Sequence, residues 1–219
     1  MSGRPAVFFD FDKTLLRTDS GSLGFRYMWE QREVSLSFLL RVIAASYLYK
    51  WRLISAERLT QFALGHYRGQ PIAKFREGAN AFYQNLLRPN LSPAMLAKLE
   101  EHRDAGHVLV LLSASIDYYL EPVVEEFGFD HLLCSRLEMV DGICTGRSAG
   151  PLIIGPQKKT AAIELSRGHE IDLQASFAYA DHLSDVPLLE TVGHPVAVRP
   201  SAPLRKIAVQ RNWPIIDAE

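Results

Sequence analysis

The chain has 219 residues, 47% hydrophobic and 22% charged, enough to bury a core without crosslinks. Its 2 cysteines, Cys134 and Cys144, are too few for a secreted disulfide scaffold, and the start has neither the basic head nor the long apolar stretch of a signal peptide, since Met1 to Pro5 lead straight into a short run ending at Asp10. A cytoplasmic protein with free thiols is expected, and a formal net charge of −1 gives no reason to expect a nucleic-acid partner.

Residues 6–9, Ala-Val-Phe-Phe, form an apolar run with β-branched and aromatic character, which predicts a buried strand ending at Asp10. The segment through Asp12 and Thr14 reads as a loop. From about Ser20 to Arg88 the pattern is helical, with no strand signal. Residues 35–54 are long, rich in Leu, Tyr and Ala, and free of Gly and Pro. Ser55 starts another helix that closes near Gly65, and Pro71 opens a third as a first-turn proline.

Residues 88–93 are a break, after which strands and helices alternate. A helix over 94–105 ends at Gly106, and a strand over 107–112 runs into Ser113-Ala114-Ser115. A further helix reaches Phe127, and a third strand covers 132–134. Residues 136–145 alternate around Asp141-Gly142, a hairpin turn signal. A helix over 158–167 precedes strands at 176–180 and 195–198. This rhythm predicts an α/β fold: a doubly wound, mainly parallel Rossmann-like sheet (1–17 and 91–219) with an inserted all-helical cap (18–90). Charge divides the same way, because residues 18–90 carry 10 Lys and Arg against 5 Asp and Glu, and the remainder 14 against 20. Such a pairing suits an anionic substrate meeting a carboxylate-held metal, although most of these cations read more simply as solvated helix faces.

In doubly wound sheets the site lies at the carboxyl ends of the strands. The first strand delivers Asp10 and Asp12, the second Ser113, and the fourth Asp181 and Asp185, while Lys158 opens the helix before the fourth. Singly, each has a plain structural reading as a turn acid, a helix cap or a surface lysine. Together and in this order they suit phosphoryl transfer, which needs positioning and charge stabilisation. Asp10 is placed to attack phosphorus, and Asp12 to protonate the leaving alkoxide and then deprotonate water. Lys158 would neutralise phosphoryl charge, and Ser113 with nearby backbone N–H groups would seat the anion. Magnesium suits the carboxylates, with Asp10 and Asp181 as direct ligands and Asp185 bound directly or through water.

The run from Val7 to Leu15, with Ser113, Lys158 in Gly155-Pro156-Gln157-Lys158, and the segment Asp181 to Asp185, resembles the four motifs of the haloacid dehalogenase superfamily. The likeness covers nearly the whole chain and is nearest the phosphoserine-phosphatase-like branch. The second acid, Asp12, implies phosphatases and phosphomutases. Asp19 stands where phosphoserine enzymes carry a glutamate that contacts the substrate amine, whereas their cap arginine motif is not evident. Ala180 replaces a common glycine and His182 a common small residue, and Lys159 beside Lys158 leaves the lysine assignment resting on its spacing from Gly155.

The resulting expectation is a magnesium-dependent phosphomonoester hydrolase acting on a phosphorylated small molecule or lipid. The catalytic set is Asp10, Asp12, Ser113 and Lys158. The substrate set is Ser113, Ala114, Asp19 and Lys158, and the metal set is Asp10, Asp12, Asp181 and Asp185. A phosphomutase and a catalytically silent binding module are the alternatives. Residues 34–54 are unusually apolar, with Arg41, Lys50 and Arg52 as their only charges, and Arg41 interrupts the run too early for a spanning helix. They read as cap core first, and otherwise as a dimer surface or a peripheral face meeting lipid.

Overall fold

Alternating strands and helices place the residues described, 3–51 and 53–217 of this computed structural model, in a layered α/β fold; Met1, Ser2, Arg52, Ala218 and Glu219 lie outside them. The chain opens with β1 (Ala6–Phe9), followed by α1 (Ser20–Glu30), α2 (Leu36–Lys50), α3 (Ala56–Leu64) and α4 (Ile72–Phe82). Next come α5 (Pro93–Asp104), β2 (Val108–Ile116), α6 (Asp117–Phe127), β3 (His131–Ser135), and a hairpin of β4 (Leu137–Val140) and β5 (Ile143–Ser148). The last part holds α7 (Pro156–Gly168), β6 (Phe177–Ala180), α8 (Val186–Leu189), β7 (His194–Val198), α9 (Ala202–Gln210) and β8 (Ile215–Ile216).

Every residue of β1 is buried, which requires cover on both faces of its sheet. The six-stranded sheet has the order β3-β2-β1-β6-β7-β8, and all its pairings are parallel. Side-chain alternation divides β1 between two cores. Val7 and Phe9 pack with Leu99, Leu120 and Tyr179, and Ala6 and Phe8 with Ala162, Leu188 and Leu204. The chain order reverses around β1, so a crevice opens at its carboxyl end beside β6.

The helical insertion leaves and rejoins the sheet unit at one place. Leu16 and Leu91 form an antiparallel bridge, the Arg17 N–H donates to the Asn90 carbonyl at 2.8 Å, and the Ser92 N–H to that of Leu15 at 2.8 Å. Its helices start where side chains satisfy free N–H groups: Asp19 accepts from Ser22, Ser35 from Phe38 and Ser55 from Arg58. Leu64, Tyr67, Phe75 and Phe82 from the insertion join the same core as Val7 and Phe9. The β4–β5 hairpin turns through Asp141 (φ 50°) and Gly142 (φ 77°), the paired left-handed geometry that Asp-Gly favours. Its backbone also ties to the insertion, with Ile72 N–H to Gly142 O at 3.0 Å and Cys144 N–H to Gln70 O at 2.9 Å.

Three expectations need correction. The strand read as 107–112 continues to Ile116, so Ser113 lies inside it rather than at the start of the next helix. A sixth strand, β8, has two residues and is too short to leave a sequence pattern. The cap-core reading of 34–54 holds for one side only, where Val34 and Val42 are buried and Phe38 packs against Phe25 and Phe62. Among the described residues of α2, Val42 alone is buried, whereas Leu40 is 57% and Tyr47 60% exposed. Among the described residues no helix is long and apolar enough to cross a membrane.

Candidate active site

Asp10 is the first residue beyond β1, and its N–H donates to the Tyr179 carbonyl of the neighbouring strand at 3.0 Å. That bond holds the residue at the crevice, with its carboxylate buried. Lys158 comes from the first turn of α7, which starts at Gly155 with φ 55° and ψ −122°, a conformation strained for any residue with a Cβ. Its Nζ donates to Asp10 Oδ1 at 2.6 Å and lies 2.8 Å from Asp185 Oδ1. Lys159 is exposed, which resolves the choice between the adjacent lysines. Asp181 follows β6, and Asp185 closes the short turn Leu183–Asp185. His182 is exposed and caps that turn by accepting from the Ser184 N–H at 3.2 Å, pointing it to solvent-side duty rather than to substrate.

Asp10, Asp181 and Asp185 each offer an oxygen within 4.8 Å of the others, all three residues being buried. One ammonium facing three carboxylates leaves negative charge in excess. Burial pushes the Asp10 carboxyl up to about 8; Lys158 pulls it down, and Asp185 and Asp181 push it up. Burial and then Asp185 carry Asp181 to about 6. For Lys158 burial alone would favour the neutral amine, but Asp10 and Asp185 outweigh it and hold the group charged. Among the described residues, Asp185 Oδ1 has no partner in hydrogen-bonding geometry beyond its 2.8 Å ion pair with Nζ. A buried set of three hard oxygen donors, short of positive charge, fits a divalent cation.

The Asp12 carboxylate does not join this group. The turn Phe11–Leu15 has extended dihedrals at Asp12 and a left-handed φ of 57° at Lys13, and the acid swings toward α1. There it accepts from the Ser20 N–H at 2.6 Å, the Ser20 hydroxyl at 3.1 Å and the Ser115 hydroxyl at 3.1 Å. Burial raises its pKa and Asp19 adds to the rise, while the Ser20 and Ser115 bonds oppose it. Asp12, Asp19, Ala114 and Ser115 line a cavity of about 350 Å³, roofed by Val42 and Ser46 of α2.

Asp19 therefore reaches the cavity, although its carboxylate also caps α1 by accepting from the Ser22 N–H and hydroxyl at 2.8 and 2.9 Å. Ser113 is fully buried and its Oγ accepts from the Ser115 N–H at 3.1 Å. Beyond Ser113 the ladder between β2 and β3 shifts register, which frees Ala114 and Ser115 to face the cavity. Ser20 and Ser115 were not foreseen as site residues, because lone serines near a strand end carry no distinguishing spacing. Nor was the hydroxyl cluster in which Tyr67 meets Tyr118 at 2.8 Å and Tyr119 at 3.3 Å, joining the insertion to α6.

Residues 7–190 match the haloacid dehalogenase-like hydrolases. The chain belongs to this family. It is 30% identical over 217 residues to phosphoserine phosphatase SerB1 of Mycobacterium tuberculosis, a match covering 97% of this chain and 70% of that protein. It is 27% identical to the histidinol-phosphatase of Neisseria meningitidis serogroup C, covering 96% of this chain and 97% of that one. A solved protein of unknown function from Bordetella pertussis Tohama I superposes with a TM-score of 0.90 at 28% identity, over 98% of this chain and 99% of its own. This haloacid dehalogenase-like hydrolase is an enzyme, a phosphatase.

Proposed function

We propose that this hydrolase cleaves small-molecule phosphomonoesters with magnesium, through a phosphoryl group carried on Asp10. The observation that carries the reading is the separation of two acids only two residues apart. Asp10 sits buried with Lys158, Asp181 and Asp185, and Asp12 is held apart by Ser20 and Ser115 at the cavity. Asp10, Asp181 and Asp185 would hold the ion. When bound, magnesium supplies the positive charge that lets a carboxylate and a phosphate approach each other.

An Asp10 oxygen bonds to phosphorus as the bond from phosphorus to the alcohol oxygen breaks, and Asp12 gives its proton to that departing oxygen. Burial suits Asp12 to this step, since a raised pKa keeps the proton available. In the second half Asp12 removes a proton from water, the water oxygen bonds to phosphorus, and the Asp10 carboxylate is released with inorganic phosphate. Lys158 stays charged throughout and balances the phosphoryl oxygens. Ser113 and the Ala114 backbone would seat those oxygens.

In this reading residues 18–90 act as a cap over a core of 1–17 and 91–219, and the cap excludes water from the reacting centre. Phe25, Met28, Leu59 and Ile116 give the cavity apolar walls, Asp19 gives it a negative group, and among the described residues no Lys or Arg lines it. Those walls suit a small alcohol moiety that carries a positive charge. Phosphate release should be measured across amino-acid, sugar, nucleotide and lipid phosphomonoesters, with Asp10→Asn as the comparison. Turnover of at least one ester by the native protein and its loss in Asp10→Asn is the expected result; equal release by both proteins ends the mechanism.

A further inference from the structure

The outer side of α2 is the largest feature that the catalytic site leaves unexplained. Leu36, Leu40, Ile43 and Tyr47 recur at helical spacing, continue into Trp51, and are 59%, 57%, 44%, 60% and 75% exposed. The opposite side carries Val42, which is buried and roofs the cavity together with Ser46. A helix that is apolar on both sides is normally covered on both, so this one has half of its burial unmet.

We propose that the outward face of α2 docks on an anionic lipid surface. Charge complementarity selects this occupant. Residues 34–56 contain no Asp or Glu, and both α2 cations, Arg41 and Lys50, are exposed. Pairing with a second copy across a two-fold axis would bring these cations together on a surface whose own segment offers no carboxylate to neutralise them. Lipid phosphates supply the missing anions.

The remaining chemistry agrees. Tyr47 and Trp51 stand at one end of the outward stripe, and such amphipathic rings settle at the boundary between acyl chains and headgroups. At 15 residues α2 is about 22 Å long, shorter than the roughly 30 Å of a hydrocarbon layer, so it lies in the surface rather than crossing it. The lipid-facing and cavity-facing sides are back to back on one helix, which would hold the mouth of the cavity close to the membrane.

The test uses the full chain and sucrose-loaded vesicles of phosphatidylcholine alone or with about one-third phosphatidylglycerol. The native protein should sediment with the anionic vesicles, less with the neutral ones, and less again at high salt. Its tryptophan emission should shift to the blue on binding, and Trp51→Phe should remove most of that shift. Leu40→Asp with Tyr47→Asp should cut partitioning at least tenfold, and Arg41→Gln with Lys50→Gln about fivefold per cation lost. All four residues are exposed and none lines the cavity, and phosphate release from a soluble ester reports that both variants fold. Failure of the native protein to sediment with anionic vesicles overturns the proposal, as does undiminished sedimentation of both double variants. Light scattering that shows a dimer dissolved by Leu40→Asp with Tyr47→Asp, without vesicle binding, assigns the face to a second copy instead. Because sedimentation does not depend on turnover, its outcome is separate from that of the phosphatase reading.

Discussion

Replacing His102 by Gln should flatten the fall in stability that the protein shows toward acid. His102 lies on α5, with Nδ1 2.8 Å from His107 Nδ1 and Nε2 2.8 Å from the Tyr179 hydroxyl, on the strand that ends just before Asp181. Burial lowers its pKa to about 4, His107 acting in the same sense, Glu101 against it and Lys98 with it. In the unfolded chain the imidazole takes a proton near its usual value of about 6.5. Between these values the unfolded state binds more protons than the folded one, so stability rises with pH. The contribution is complete above about pH 6.5 and is lost as pH falls toward 4. At about pH 5 the unfolded imidazole is almost wholly charged and the folded one almost wholly neutral, a difference of about 2 kcal/mol at 1.36 kcal/mol per unit. Water near the less buried His107 screens part of that, leaving about 1 kcal/mol.

Urea unfolding at about pH 7.5 and about pH 5, at matched ionic strength and with a chelator present, measures this. Gln keeps one donor and one acceptor for its two neighbours but cannot titrate. The drop between the two pH values should be about 1 kcal/mol smaller in His102→Gln, while the raised Asp10 and Asp181 carboxyls contribute alike in both proteins and cancel. An identical drop in both would show that His102 is protonated in the folded protein as easily as in the unfolded one, which refutes the reasoning.

Asp12→Asn should lower kcat on the order of 10²–10⁴-fold, measured by phosphate release at saturating ester. Ser20→Ala should cost about tenfold by removing one of the bonds that orient that acid, and nothing further when added to Asp12→Asn; an equal second loss would mean that Ser20 acts elsewhere. Magnesium at about 100 times its dissociation constant should stabilise the protein by about 2.7 kcal/mol, a rise of several degrees in Tm. Scanning fluorimetry should find that rise absent in Asp185→Asn, and an unchanged rise would remove Asp185 from the ion site.

Much of the site was legible in advance because its parts obey local rules. Asp10 and Asp181 stand immediately after short buried runs, and a parallel sheet brings the ends of such runs to one edge. The Asp141-Gly142 turn was readable for a similar reason, since two left-handed residues in succession leave few choices of sequence. The direction of the Asp12 carboxylate was hidden, because distance along the chain does not tell which way a side chain turns. A turn with extended backbone at Asp12 and a left-handed φ at Lys13 sends it to Ser20 and Ser115, partners 8 and 103 residues away. The end of the second strand was equally hidden: Ser113 to Ile116 looks like a turn locally, but β3 alongside extends it.

The order of strands and helices, and the four acids and one lysine at their ends, were determined by the sequence, through hydrophobic period and turn chemistry that act over a few residues. The tertiary structure decided which of those acids share a buried charge, which adjacent lysine neutralises them, and that α2 shows an apolar face to solvent. Each of these depends on distances between segments far apart in the chain. Such distances follow from how whole faces pack, and a pattern of apolar residues does not reveal whether its partner lies within the same molecule.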